Sequence, residues 1–429
     1  MIKRILYTLL IMFPVLASAQ INTDRVMAIG RNALYFEDYV LSIQYFNQVI
    51  NAKPYLSDPY FYRGLAKINL DDFQGAESDC SEAIERNPFV VSAYQVRGLA
   101  RIQQNNFAGA IEDYTKALEF DPENIGVWHN MALCRIRQED YKGAKNDLDK
   151  LIAISPRYTK AYLMRGEVDL KQKDTLAAEK DFGKAIEIDR YDADTWASRA
   201  ILRLQQQRYK DAEADFDHAI RLSTRNSGVY INRALARYHQ NNLRGAMSDY
   251  DIALDIDPNN FIGHYNRGLL RAQVGDDNRA IQDFNFVIEM EPDNMMAIFN
   301  RGLLLDQTGD YKGAIKDYST VINEYPNFLL GYQYRAQARR KIGDVKGADA
   351  DEFKVLKAQL DKQNGVDPNK QTADNTENNK TRKKSDKNMN NYRKIVVADN
   401  EEGEEKYKSD YRGRVQDKNV NIVPQPMFV

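Results

Sequence analysis

The chain has 429 residues, of which 43% are hydrophobic and 28% charged, enough apolar material to bury a sizeable core. Its 60 basic and 62 acidic residues leave a formal net charge of -2, which argues against the basic stripe that nucleic acid or an anionic membrane selects. Length alone points to roughly two or three domains, but an internal period replaces that estimate.

The first twenty residues stand apart from the rest. Lys3 and Arg4 precede an apolar run from Ile5 to Phe13, and Ala17-Ser18-Ala19 supply small residues for a signal peptidase. The run is short for a bilayer crossing. The expectation is therefore a cleaved export signal over residues 1–19, with the mature chain starting at Gln20 and no membrane segment remaining after cleavage. No cysteine lies near the cleavage point, so a lipid anchor is not expected.

From Thr23 onward the chain repeats itself. Arg63-Gly64, Ala76, Asp79, Ala83 and Pro88 recur thirty-four residues later as Arg97-Gly98, Ala110, Asp113, Ala117 and Pro122. Frames begin at residues 23, 57, 91, 125, 159, 193, 227, 261, 295 and 329 without an insertion. A fixed period of this size marks a stacked array. Position eight is always Gly or Ala, and position twenty is Ala in every frame after Ser42, so two backbones can approach closely there. In the third frame Tyr94, Arg97, Gly98 and Arg101 keep helical spacing, Asn105-Asn106 interrupts, and Ala110, Tyr114, Ala117 and Leu118 resume it. Position sixteen holds Asp or Asn, which cap helices by accepting amide hydrogen bonds in the first turn; Arg208 alone departs. Pro54, Pro88, Pro122, Pro156, Pro258, Pro292 and Pro326 close their frames and open the next helix without wasting an amide. Arg190 and Thr224 stand in place of that proline in repeats five and six. Each frame is thus predicted to be a helix hairpin.

These features, with large residues at position four (Tyr60, Tyr94, Trp128, Tyr162, Trp196, Tyr230, Tyr332) and aromatics at position twenty-four (Phe46, Tyr114, Phe182, Phe216, Tyr250, Phe284, Tyr318), resemble the tetratricopeptide repeat family over residues 23–362. The resemblance implies an all-α, right-handed α-solenoid superhelix of about ten helix-turn-helix units. It also implies binding of other proteins or extended peptides on a concave face made by the first helix of each unit. Positions two, five, six and nine then face that groove. Asn232, Asn266 and Asn300 hold position six in three consecutive repeats, beside Ile231, Tyr265 and Phe299 at position five and Ile262 and Met296 at position two. Such a ladder of amides suits a peptide backbone, with apolar neighbours reading its side chains. The alternative is that the apolar residues only pack between adjacent helices. Leu65, Leu99, Leu133 and Leu235 at position nine speak against the carboxylate clamp of chaperone-binding relatives.

Arg at position seven and Asp at position twenty-three recur as Arg63 and Asp79, Arg97 and Asp113, Arg233 and Asp249, Arg267 and Asp283, and Arg301 and Asp317, while repeat four has Met131 with Asp147. An active site uses a carboxylate once. A pair reiterated in nearly every unit is expected to be a structural ion pair, within a repeat or across a junction. Cys80 and Cys134 lie in repeats two and four, farther apart than the about 7 Å a disulfide spans between Cα atoms, so both are expected as small buried hydrophobes and no disulfide is expected. His129, His218, His239 and His264 show no metal-ligand spacing, and no phosphate loop, nucleophile elbow or dinucleotide fingerprint is present. No enzyme activity, cofactor or metal is expected.

The period ends at residue 362. Residues 363–391, rich in Asn, Lys, Asp and Thr, are expected to be a disordered linker. Residues 392–429 form an extended C-terminal tail of short β-prone pieces that either add a strand to a partner or fold back into the groove as a built-in competitor. The whole reads as an exported scaffold for bacterial envelope components, periplasmic or outer-membrane-associated, with a periplasmic chaperone-like holder of client segments as the alternative.

Overall fold

In a computed structural model the described residues are 22–222, 225–363, 389 and 392–395. The expected export signal, Thr224, and the linker and tail outside residues 389 and 392–395 lie beyond them. Among the described residues there are twenty helices and no strand. No helix among them is long and apolar enough to cross a membrane.

The chain divides into two compact units after Ile188, two residues before Arg190 replaces the closing proline. The first unit contains α1 (Thr23–Tyr35), α2 (Tyr39–Ala52), α3 (Asp58–Ile68), α4 (Phe73–Arg86), α5 (Val91–Gln103), α6 (Phe107–Phe120), α7 (Ile125–Arg137), α8 (Tyr141–Ile154), α9 (Thr159–Lys171) and α10 (Thr175–Ile188). The second contains α11 (Ala193–Gln205), α12 (Tyr209–Arg221), α13 (Ser227–His239), α14 (Leu243–Ile256), α15 (Phe261–Gln273), α16 (Asp277–Met290), α17 (Met295–Thr308), α18 (Tyr311–Glu324), α19 (Leu329–Lys341) and α20 (Val345–Gln363). Within each unit every helix packs on its chain neighbours, and first helices of successive hairpins also meet, as α5 meets α7 and α15 meets α17.

The hairpin follows from a few residues. The position-sixteen side chains of Asp38, Asp72, Asn106, Asp140, Asp174, Asn242, Asp310 and Asp344 accept a backbone N–H in the next turn. Arg208 cannot do so, and neither does Asp276, which sequence reading had expected to cap; its carboxylate turns instead toward Arg279. The residue just before each cap takes a left-handed conformation, with φ from 59 to 65° at Glu37, Asp71, Asn105, Glu139, Lys173, Gln207 and Asn241, and glycine only in the last three repeats. No glycine signal marks that turn in the first seven repeats, so it was invisible in the sequence.

Position eight is small because the ring at position twenty-four lies flat against its backbone. A Cβ on Gly166 would stand 2.5 Å from Phe182, and one on Gly98 would stand 2.7 Å from Tyr114. Forcing a methyl into such a gap costs about 1–3 kcal/mol. Position four does more than fill space. The polar heads of Tyr60, Trp128, Tyr162, Trp196 and His264 reach back to the carbonyl of the residue that closes the preceding frame, at 2.8 to 3.2 Å. Those carbonyls would otherwise lack a helical donor. Cys80 and Cys134 are both buried, and burial pushes each thiol up to about 12.

Candidate functional site

The first helices α13, α15 and α17 of the second unit carry the amide series. Ile231 is fully buried among Ala234, Tyr250 and Ala253. Ile262 lies against the same cluster. Asn232 and Asn266 are fully buried as well.

Asn300, Tyr265 and Phe299 do converge, and what they meet is another part of the chain. Asn300 Nδ2 donates to the carbonyl oxygen of Tyr392 at 2.6 Å, and the Tyr265 hydroxyl donates to the same oxygen at 2.7 Å. The second amide hydrogen of Asn300 goes to the Met296 carbonyl one turn back at 2.9 Å. That bond fixes the amide with its other hydrogen pointing out of the helix. A carbonyl has two acceptor sites, and both are filled by side chains from neighbouring repeats. Phe299 meets the Tyr392 ring edge-on, centroids 4.9 Å apart at 87°, the favoured arrangement for an aromatic pair. Met296 joins the same apolar cluster.

Met389 is 5% exposed in that cluster, although sequence reading placed it in a disordered linker. The Tyr392 N–H donates to the Met389 carbonyl at 3.2 Å, closing a turn between them. Ile395 packs against the cluster of Leu204, Phe216, Val229 and Leu235. Beside this segment a cavity of about 460 Å³ remains, lined among others by Tyr238, Leu269, Gln273, Leu303, Arg393 and Ile395. Leu269 and Leu303 were readable at position nine. Tyr238, whose hydroxyl donates to Gln273, was missed. It sits one turn beyond position nine on the same face, and continuing the helical spacing would have found it.

The repeated ion pairs join the two helices of each hairpin that carries one. Arg63, Arg97, Arg165, Arg199, Arg233, Arg267, Arg301 and Arg335 each grip the Asp sixteen residues later with two nitrogens, for example Arg233 to Asp249 at 2.6 and 3.0 Å. In seven of these eight the third nitrogen reaches the preceding repeat, to Asn47, Ser81, Asp149, Asp217, Asp251, Asn285 and Ser319. One arginine thus spans two hairpins. Burial tends to raise the Asp283 carboxyl, but hydrogen bonds from His264 and Arg267 outweigh it and hold the group below the usual carboxylate range. The histidines are packing residues: His218 stacks on Trp196, His239 on Tyr209 and His264 on Phe286, and His129 meets Tyr158 edge-on. Among the described residues no group of His, Cys, Asp or Glu is placed to hold a metal ion. Chemically, the assembled face offers neutral donors to a peptide carbonyl and apolar seats for side chains.

Comparison with known proteins gives the same architecture. Family models described as TPR repeat or tetratricopeptide repeat match residues 98–134, 125–158 and 159–192, and 198–261 and 265–327. No curated protein sequence matches the chain. Solved structures that resemble it include a tetratricopeptide repeat protein from Parabacteroides merdae, 21% identical, covering 58% of this chain and 98% of that one with a TM-score of 0.46. The C-terminal part of a TPR repeat-containing protein from Cytophaga hutchinsonii is 18% identical, covers 55% and 97% respectively, and gives 0.47. YrrB, described as a TPR protein with an unusual peptide-binding site, is 18% identical over 43% of this chain and 95% of its own, at 0.39. At these identities the likeness is one of fold.

Proposed function

The chain belongs to the tetratricopeptide repeat family, and from that premise we propose that it is a non-catalytic scaffold that holds peptide segments of other proteins on the face formed by α13, α15 and α17. The observation that carries this reading is the double donation from Asn300 and Tyr265 to one peptide carbonyl. Two side chains from successive repeats meet at an acceptor that belongs to neither repeat. Neutral donors of this kind recognise a backbone and tolerate varied side chains, while Phe299 and the leucines of position nine supply the apolar seats. The basic start, the apolar run to Phe13 and Ala17-Ser18-Ala19 support an exported protein acting in the bacterial envelope, at the periplasm or the outer membrane.

The test is to select peptides from a random display library on the purified chain carrying Met389→Ala and Tyr392→Ala, which removes the tail side chains seated on this face, and to measure their affinity by fluorescence anisotropy. Asn300→Ala combined with Tyr265→Phe removes both donors and is expected to weaken the selected peptides about tenfold or more, in line with about 0.5–1.5 kcal/mol per neutral hydrogen bond. Far-ultraviolet circular dichroism checks that helicity is kept. Selected peptides that bind both proteins equally would reject the groove.

A further inference from the structure

Resting on the reading of this face as a peptide groove, we propose that residues 389–395 are an internal ligand. The chain carries in its own tail a version of the segment it binds in other proteins. A partner is therefore a turn-forming peptide with an apolar residue, a tyrosine three residues on and an aliphatic residue three further, and it must displace the tail.

Three observations lead there. The segment lies 92 to 127 residues in sequence from the side chains that hold it, and it comes after the last repeat, so no repeat needs it to complete its hairpin. Its three apolar residues, Met389, Tyr392 and Ile395, are spaced by three and all meet apolar clusters of the second unit, while Lys394 between them is exposed. A turn closed by the Tyr392 N–H on the Met389 carbonyl brings the first two to the same side and leaves the Tyr392 carbonyl free for Asn300 and Tyr265. These are the marks of recognition and not of incidental collapse: a satisfied backbone acceptor, an aromatic pair and a register.

The fit is also unfinished. The cavity of about 460 Å³ borders Arg393 and Ile395 on one side and Leu269 and Leu303 on the other. A peptide with bulkier apolar side chains next to its tyrosine would bury surface there that the tail leaves unfilled. Such a partner has the means to compete, because a tethered ligand presents itself at an effective concentration on the order of mM, and only added contacts overcome that advantage. The tail then sets a threshold that weak or badly shaped segments fail to pass.

The experiment uses a labelled synthetic peptide of residues 386–398 added to the full chain. Met389→Ala with Tyr392→Ala empties the groove without altering any residue of the array. This variant is expected to bind the peptide at least about tenfold tighter than the unaltered chain. Placing Asn300→Ala and Tyr265→Phe in the emptied variant removes the gain. Ile395→Asp, a second tail substitution, is expected to act in the same direction, so one badly behaved variant does not decide the matter. Equal affinity for the unaltered and emptied chains overturns the proposal. So does a dimer, seen by sedimentation velocity, that disappears with Met389→Ala and Tyr392→Ala, since the tail would then seat in a second copy. If library-selected peptides still depend on Asn300 and Tyr265 while the tail peptide does not bind, the internal ligand fails and the groove stands.

Discussion

Asp147 shows how much a single position can change within an otherwise uniform array. Eight other repeats place this carboxylate under a two-pronged guanidinium. Repeat four has Met131 at the arginine position, and Asp147 is faced by Arg135 alone, at 3.2 Å. Its side chain is 5% exposed and its second oxygen has no hydrogen-bond partner. Burial, only partly opposed by Arg135, pushes the carboxyl up to about 6. The folded protein thus holds a proton that the unfolded chain releases near pH 4, so this group stabilises the fold below about pH 4, and that contribution is lost as pH rises to about 6. Asp147→Asn removes the loss. The variant should be about 1–3 kcal/mol more stable than the parent at pH 7, and the difference should vanish near pH 4. Thermal melts at the two pH values check it, and a constant offset would count against it. That Met131 breaks the pattern was legible in the sequence. That the orphaned carboxylate is buried was not, because burial is supplied by helices from elsewhere in the unit.

At the scale of the element, the helix hairpin is tied by an arginine that holds its own second helix and the second helix before it. Asp249 is the strongest case: it is 1% exposed and receives two bonds from Arg233 and further bonds from Arg237. Asp249→Ala removes the shared carboxylate and leaves Arg233 with Asp217 and Arg237 with Glu213, so the expected cost is about 1–3 kcal/mol, read as a lowered melting temperature. Binding of library-selected peptides at temperatures where the variant is folded should be unchanged, since Asp249 is buried against Arg233 and Arg237; unchanged melting would show that the pair is dispensable. The helices themselves were readable from spacing, caps and closing prolines. The uncapped Asp276 and the left-handed residue before each cap were not, since both depend on where neighbouring side chains and the closing of the turn direct the backbone.

At the scale of the whole molecule, the array and its tail are two kinds of sequence with one shared surface in the second unit. A chain ending at Gln363 should keep the helical signal of the array and bind the peptide of residues 386–398 more tightly than the full chain. Circular dichroism and anisotropy measure the two quantities, and a truncated chain that binds no more tightly would mean that the tail does not occupy the groove. The return of the tail to the array was one of two readings the sequence left open. Nothing in Met389 or Tyr392 considered locally separates a segment that docks on its own chain from one that docks on another.

By itself, the sequence determined the period, the hairpins and the repeated ion pairs, because each is set by residues no more than about one repeat apart and is restated along the chain, the period ten times and the ion pair eight. Only the tertiary structure decided what Asn300 holds. Asn232, Asn266 and Asn300 occupy equivalent positions, yet it is Asn300 that reaches the Tyr392 carbonyl. Equivalent positions in a repeat share a local geometry, but the surface each one presents is fixed by what the rest of the chain lays against it.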